Sequence, residues 1–175
     1  MNYLNLTPKQ FCDATGACSD GRAFALTQPT MTEVWDKCPR PDWLLWILYK
    51  LKWRSGDRTL RLFAVWCARN TPLSDGRKVG DLLTDPRSLA ALEVAERYAN
   101  ANATDGELAA AWAAAWEDAA GDAAEAAAWA AAGAVSRAAA GDAAGAAALD
   151  AAWDAQADQL RKIMPNPFAI KEGAK

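Results

Sequence analysis

From Thr104 to Arg161 the chain is mostly alanine, broken at long intervals by Trp112, Trp116, Trp129 and Trp153. Alanine loses no side-chain rotamer entropy in a helix and is the best helix former. Thr104 followed by Glu107 has the spacing of a capping box, which satisfies free amides of a first helical turn. Leu108, Trp112 and Trp116 then recur every four residues and share one face, and Leu149, Trp153, Gln156, Leu160 and Ile163, spaced by four and three in turn, share one further on. The expectation is helix packed on helix, with alanine allowing close approach and tryptophan filling the wider gaps.

One unbroken helix is disfavoured. Thirteen residues separate Trp116 from Trp129, so at 3.6 residues per turn Trp129 points away from the first two indoles. Ala-Gly-Asp-Ala occurs at Gly121-Asp122 and again at Gly141-Asp142, where Gly can close one helix and Asp can cap the next. Two or three shorter helices folded on each other, a helical hairpin, are preferred over one long kinked helix. A disordered low-complexity tract would avoid tryptophan.

The rest of the chain also reads as helix. Thr7-Pro8 is a cap followed by proline at the first helical position. Asp20 opens a second helix carrying Phe24 and Leu26, and Thr30 with Glu33 opens a third over Met31–Lys37. Pro39-Arg40-Pro41 then turns the chain. Asp42 to Trp53 follows as the most hydrophobic helix and the expected core. Arg58–Arg69 should turn Leu60, Phe63, Ala64 and Cys67 inward. Thr71–Arg77 reads as loop, with a turn at Asp75-Gly76-Arg77 and Arg77 pairing locally, and Val79–Leu83 as a short helix. Asp85-Pro86 starts a helix whose buried stripe is Leu89, Leu92, Ala95, Tyr98 and Ala99. No alternating strand pattern is present. The expectation is an all-α multi-helix bundle: an N-terminal core over 1–100, the Ala/Trp-rich segment over 101–165, and a flexible tail over 166–175.

Composition narrows the function. The chain has no histidine, which removes the commonest general base, the commonest metal ligand and serine–histidine triads together. Its four cysteines, Cys12, Cys18, Cys38 and Cys67, form no CxxC pair, and without histidine a zinc site would need all four. They are expected to be buried free thiols in a reducing cytosol. No catalytic residue, metal or cofactor is expected. No signal-peptide pattern opens the chain and no apolar run approaches the roughly 20 residues a bilayer span needs. The expected location is the cytoplasm.

Charge is unevenly spread. Residues 1–100 hold 14 Lys/Arg against 11 Asp/Glu, net +3, and residues 101–175 hold 5 against 11, net −6. The acidic half should repel nucleic acid and attract a basic protein. Glu117, Asp118, Asp122, Glu125 and, further on, Asp142, Asp150, Asp154 and Asp158 are the candidate partner-binding residues. Paired carboxylates for hydrolysis are disfavoured, because an open alanine helix offers no pocket to shift their pKa. A second candidate is the basic and aromatic strip Lys50, Lys52, Arg54, Arg58 and Arg61 with Trp46, Trp53 and Trp66. There a guanidinium could take phosphate and an indole could stack on a base. The competing reading is a solvated turn between two core helices.

Several stretches, taken together and in order, resemble a family of phage and bacterial immunity proteins associated with polymorphic toxin systems. They are Ala17-Cys18-Ser19-Asp20-Gly21, Pro41-Asp42-Trp43-Leu44-Leu45-Trp46-Ile47-Leu48, Asp81-Leu82-Leu83-Thr84-Asp85-Pro86-Arg87-Ser88 and Glu93-Val94-Ala95-Glu96-Arg97-Tyr98. The Ala/Trp segment follows, closing with Ala155-Gln156-Ala157-Asp158 and Pro165-Asn166-Pro167-Phe168. The tail carries more Gly-Asp interruptions and fewer arginines than the family's Ala/Trp/Arg repeats, so it is more acidic. The resemblance implies a non-enzymatic protein that neutralises a toxin or, in a phage, a host defence protein. No binding residue is carried over from it. The alternative is a sponge that sequesters a nucleotide immune signal in the basic and aromatic strip. Self-association through the alanine faces is open.

Overall fold

The computed structural model describes residues 3–53, 56–118 and 143–169, with the backbone alone at 56–57, 116–118 and 143–148. Among these residues the protein is all-α, with eight α-helices and no strand. They are α1 (Pro8–Thr15), α2 (Ser19–Leu26), α3 (Met31–Lys37), α4 (Pro41–Lys50), α5 (Gly56–Asn70), α6 (Pro86–Ala99), α7 (Asp105–Asp118) and α8 (Ala143–Ile163), with a 310 helix at Val79–Leu82. None of them is long and apolar enough to cross a membrane. Whether the alanine-rich segment makes a hairpin or a kinked helix turns on residues 119–142, outside the described residues.

The contacts divide the chain into two compact units, 1–54 with 156–175, and 55–155. The division falls elsewhere than the expected 1–100, 101–165 and 166–175. The boundary passes through α8, whose residues from Gln156 onward belong to the first unit.

In the first unit the helix starts follow the sequence. Thr7 accepts the amide of Gln10, whose side chain takes the Thr7 amide in return, and Gly16 closes α1 in the left-handed region. α2 begins earlier than expected: Cys18 is its cap, its Sγ accepting from the Gly21 amide at 3.4 Å. At α3 the Glu33 amide donates to Thr30, but the Glu33 carboxylate reaches forward to Lys37 at 3.0 Å. α4 stops at Lys50 rather than at Trp53. Lys52 takes φ +51°, and the Trp53 amide donates back to the Leu48 carbonyl, a left-handed helix closure made without glycine.

The core of this unit comes from every one of these helices. Phe11, Ala25, Met31, Trp35, Leu44, Ile47 and Leu48 are buried. α8 adds Ala157 and Leu160, both fully buried, and the chain that follows adds Met164 and Pro167. Residues 166–169 are therefore no flexible tail. Asn166 donates to the Thr32 carbonyl and to Asp36, and the Phe168 ring stands edge-on to Phe11 at 5.8 Å. Two prolines fix the backbone there, so little entropy is lost in docking it. Residues 170–175 lie outside the described residues.

In the second unit the 310 helix and α6 each pack on α5, and α7 packs on α6. Thr104 and Glu107 form the expected capping box, and Asp85 accepts the Arg87 amide at the start of α6. Arg97 pairs with Glu107, and the Tyr98 hydroxyl donates to Asp105, tying α6 to α7. Ala101 closes α6 at φ +59°, again without glycine. The loop after α5 behaves as expected, with Asp75 holding the Arg77 guanidinium and amide across Gly76 at φ +84°.

The expected buried stripes are only partly right. Phe63, Cys67 and Ala99 are inside, but Leu60, Ala64 and Leu89 are exposed, and Val65 takes an inward place. Trp112 is 65% exposed; the alanine-rich residues 119–142 against which it is expected to pack lie outside the described residues.

The 310 helix packs hard on α5. A Cβ at Gly80 would lie 2.6 Å from the carbonyl oxygen of Arg69, so backbone would have to move. Gly80→Ala is expected to lower the unfolding free energy by about 1–3 kcal/mol, the usual cost of overpacking. Urea denaturation checks this, and an unchanged midpoint would mean that the close approach is not fixed.

Candidate functional site

The acidic residues of α8 are where the period places them. Asp150, Asp154 and Asp158 are spaced by four, and all three are exposed on one side of the helix. The other side is seated by Gln156, Ala157 and Leu160. Asp158 is not a free charge, since Arg161 holds it at 2.7 Å. The same guanidinium donates to the Cys38 carbonyl at 2.7 Å and reaches the Trp35 carbonyl at 3.5 Å. It thus covers carbonyls at the end of α3, where helix geometry leaves them without partners. Glu117 and Asp118 fall in the last turn of α7, where only the backbone is described, and Asp122, Glu125 and Asp142 lie outside the described residues.

The basic and aromatic strip is divided by the fold. Trp46, Lys50 and Trp53 belong to the first unit, and Arg58, Arg61 and Trp66 to the second, while Arg54 lies outside the described residues. Its cations have local work. Lys50 sits 5.3 Å from the centre of the Trp46 ring, Arg61 lies 4.8 Å over Tyr98, and Arg58 donates to Asn100 at 2.7 Å. Trp53 Nε1 and Arg61 Nε are buried without a hydrogen-bond partner among the described residues. The eight residues nominated as one phosphate and base site, Lys52 of the first unit among them, are thereby divided between two different units.

What the sequence reading missed is a pocket inside the first unit. α1 to α4 line a partly open cavity of about 380 Å³. Its walls are aromatic and aliphatic, among them Phe11, Phe24, Trp43, Trp46, Met31 and Ile47. Phe24 and Trp43 lie with ring centres 5.9 Å apart, and Trp46 meets Phe11 edge-on at 6.2 Å. Three of the four thiols line it, those of Cys12, Cys18 and Cys38. Cys12 and Cys38 are buried and Cys18 is exposed, against the expectation that all four would be buried. Burial pushes the Cys12 thiol up and the Cys38 thiol up to about 11, so both are neutral at pH 7. Cys67, in the other unit, is pushed by burial to about 12. Neutral buried thiols behave as small apolar groups rather than nucleophiles.

Among the described residues Asp42 is the one charged residue of the pocket wall, and Arg40 grips it with two bonds, at 2.9 and 2.8 Å. The same guanidinium lies 5.0 Å from the centre of the Trp43 ring. A sequence signal for this pocket did exist. It is the aromatic positions Trp43 and Trp46, three apart on a helix too hydrophobic to bury all its faces, preceded by Arg40 and Asp42.

No protein-family model matches the chain, and neither a curated protein nor a solved structure is matched by it.

Proposed function

We propose that this chain is a non-enzymatic binding protein of the immunity or counter-defence kind, which neutralises a partner protein by docking the acidic edge of α8 on a basic surface. The observation that supports this reading is the presentation of Asp150 and Asp154. Both are exposed, one turn apart on one side of α8. Carboxylates repeated along one side of a helix keep a fixed spacing, so little freedom between them is lost when a partner arrives. Complementary charge also steers the encounter and raises the association rate. A toxin or a host defence enzyme with a cationic nucleic-acid cleft has the matching surface. The resemblance of the Asp-Trp-Leu-Leu-Trp block and the alanine-rich tail to immunity proteins points the same way.

The test is capture of a partner from the host cell by the full chain, followed by association kinetics with the captured protein. Asp150→Lys combined with Asp154→Lys leaves the Asp158–Arg161 pair in place. It is expected to slow association by about tenfold or more at low salt, within the range that steering supplies. The unfolding midpoint should hold, because both positions are exposed. Association at an unchanged rate would remove this face from the mechanism.

A further inference from the structure

We propose that the cavity in the first unit is a binding site for an uncharged, flat aromatic or heteroaromatic molecule of two or three rings. The inference is independent of the docking face on α8. It rests on size, shape and charge. A volume of about 380 Å³ lies within the range of small-molecule sites, which run from roughly 300 to 1,000 Å³. Phe24, Trp43 and Trp46 supply aromatic surface against which a planar ring stacks or meets an edge. The sulfurs of Cys12 and Cys18 add soft, polarisable contacts with the edge of such a ring.

Charge decides the class. Among the described residues Asp42 is the one carboxylate in the wall, and Arg40 already neutralises it. Among the described residues no lysine or arginine lines the cavity. An anion entering would lose its water and find the neighbouring Arg40 guanidinium already held by Asp42, and a cation would compete with Arg40 for Asp42. Either loss costs several kcal/mol, whereas a neutral ring gives up little. A phosphate-bearing ligand is therefore excluded from this cavity by the same argument that admits a neutral one.

Gly21 gives the means of closing it. It lies in α2 and lines the cavity, and a Cβ there would stand 3.2 Å from Cys18 Sγ and 3.7 Å from the Trp43 ring. A leucine at this position extends into the space, while its helix propensity exceeds that of glycine.

The experiment is a fluorescence titration of the full chain with N-phenyl-1-naphthylamine, which is neutral. Its near-isostere 1-anilinonaphthalene-8-sulfonate, an anion, is the second arm. We expect saturable one-to-one binding of the amine, weaker by about tenfold or more for the sulfonate, a difference of roughly 1.4 kcal/mol. Gly21→Leu should weaken amine binding by about as much, with the helical circular dichroism unchanged. A readout on the unaltered protein stands beside it. Cys18 is exposed at the cavity and the other three thiols are buried, so N-ethylmaleimide should label Cys18 first and the amine should slow that labelling. Absence of saturation, equal or tighter binding of the sulfonate, binding retained in folded Gly21→Leu, or labelling of Cys18 unaffected by the amine would each overturn the assignment.

Discussion

Trp35→Ala is expected to lower the unfolding free energy by about 3–5 kcal/mol, the range seen when a buried aromatic is truncated to alanine. Trp35 is 1% exposed and is the largest of the fully buried side chains. It sits on α3, which has only two turns and cannot hold itself together: an isolated helix this short is unstable in water. The helix exists because Met31, Val34 and Trp35 bury one side of it. Truncating the indole removes apolar area and leaves a cavity in a region that several helices share, so collapse around it is limited. The control is Tyr49→Ala on α4. Tyr49 is 76% exposed, and its loss should change stability by no more than about 0.5 kcal/mol. Urea denaturation at fixed pH compares the two. A Trp35 variant within about 1 kcal/mol of the parent would mean that the indole is not packed as described.

The local parts of the fold were legible in the sequence because local chemistry writes them. Thr7-Pro8 with Gln10, Asp85-Pro86, and Thr104 with Glu107 each place a side-chain oxygen within three residues of the amides it satisfies. Nothing beyond a four-residue window is needed to see them. Helix ends were less legible. Lys52 and Ala101 close α4 and α6 in the left-handed region, where glycine would be the usual signal. The cost of placing a side chain there is met by the packing on either side, which composition does not show.

The inward stripes failed for a related reason. On α5 the periodicity allowed either Leu60 and Ala64 or Val65 to face in, and the neighbours chose Val65. α4 is so apolar that its sequence could not say which face stays open. The cavity beside Trp43 and Trp46 is a product of four helices and of the small residues Gly16, Ala17 and Gly21 between them. Its thiols are 6 and 20 residues apart in the chain, so no spacing rule collects them. The acidic edge at Asp150, Asp154 and Asp158, by contrast, is a helical repeat, and a repeat is what a sequence shows best.

Arg161→Met is the change expected to separate structural charge from displayed charge. Arg161 is one of five cations after residue 100, and simple counting would assign it to the acidic surface as a counter-ion. Its geometry assigns it inward. One guanidinium nitrogen bonds the Cys38 carbonyl at 2.7 Å and lies 3.5 Å from that of Trp35, while the other holds Asp158 at 2.7 Å. The side chain is 21% exposed, so those carbonyls are partly shielded from water. Hydrogen bonds to a charged donor contribute roughly 1.5–3 kcal/mol, and a carbonyl left buried and unpaired adds its own penalty. Methionine keeps most of the aliphatic packing and removes the donors, so a loss of about 2–3 kcal/mol is expected. Asp158→Asn breaks only the exposed half of the arrangement and should cost less than about 1 kcal/mol. Arg161→Lys should fall between, because an ammonium cannot fork between a carbonyl and a carboxylate as a guanidinium does. If Arg161→Met and Asp158→Asn cost the same, the guanidinium serves the surface alone, and α8 is not anchored to the end of α3 through it.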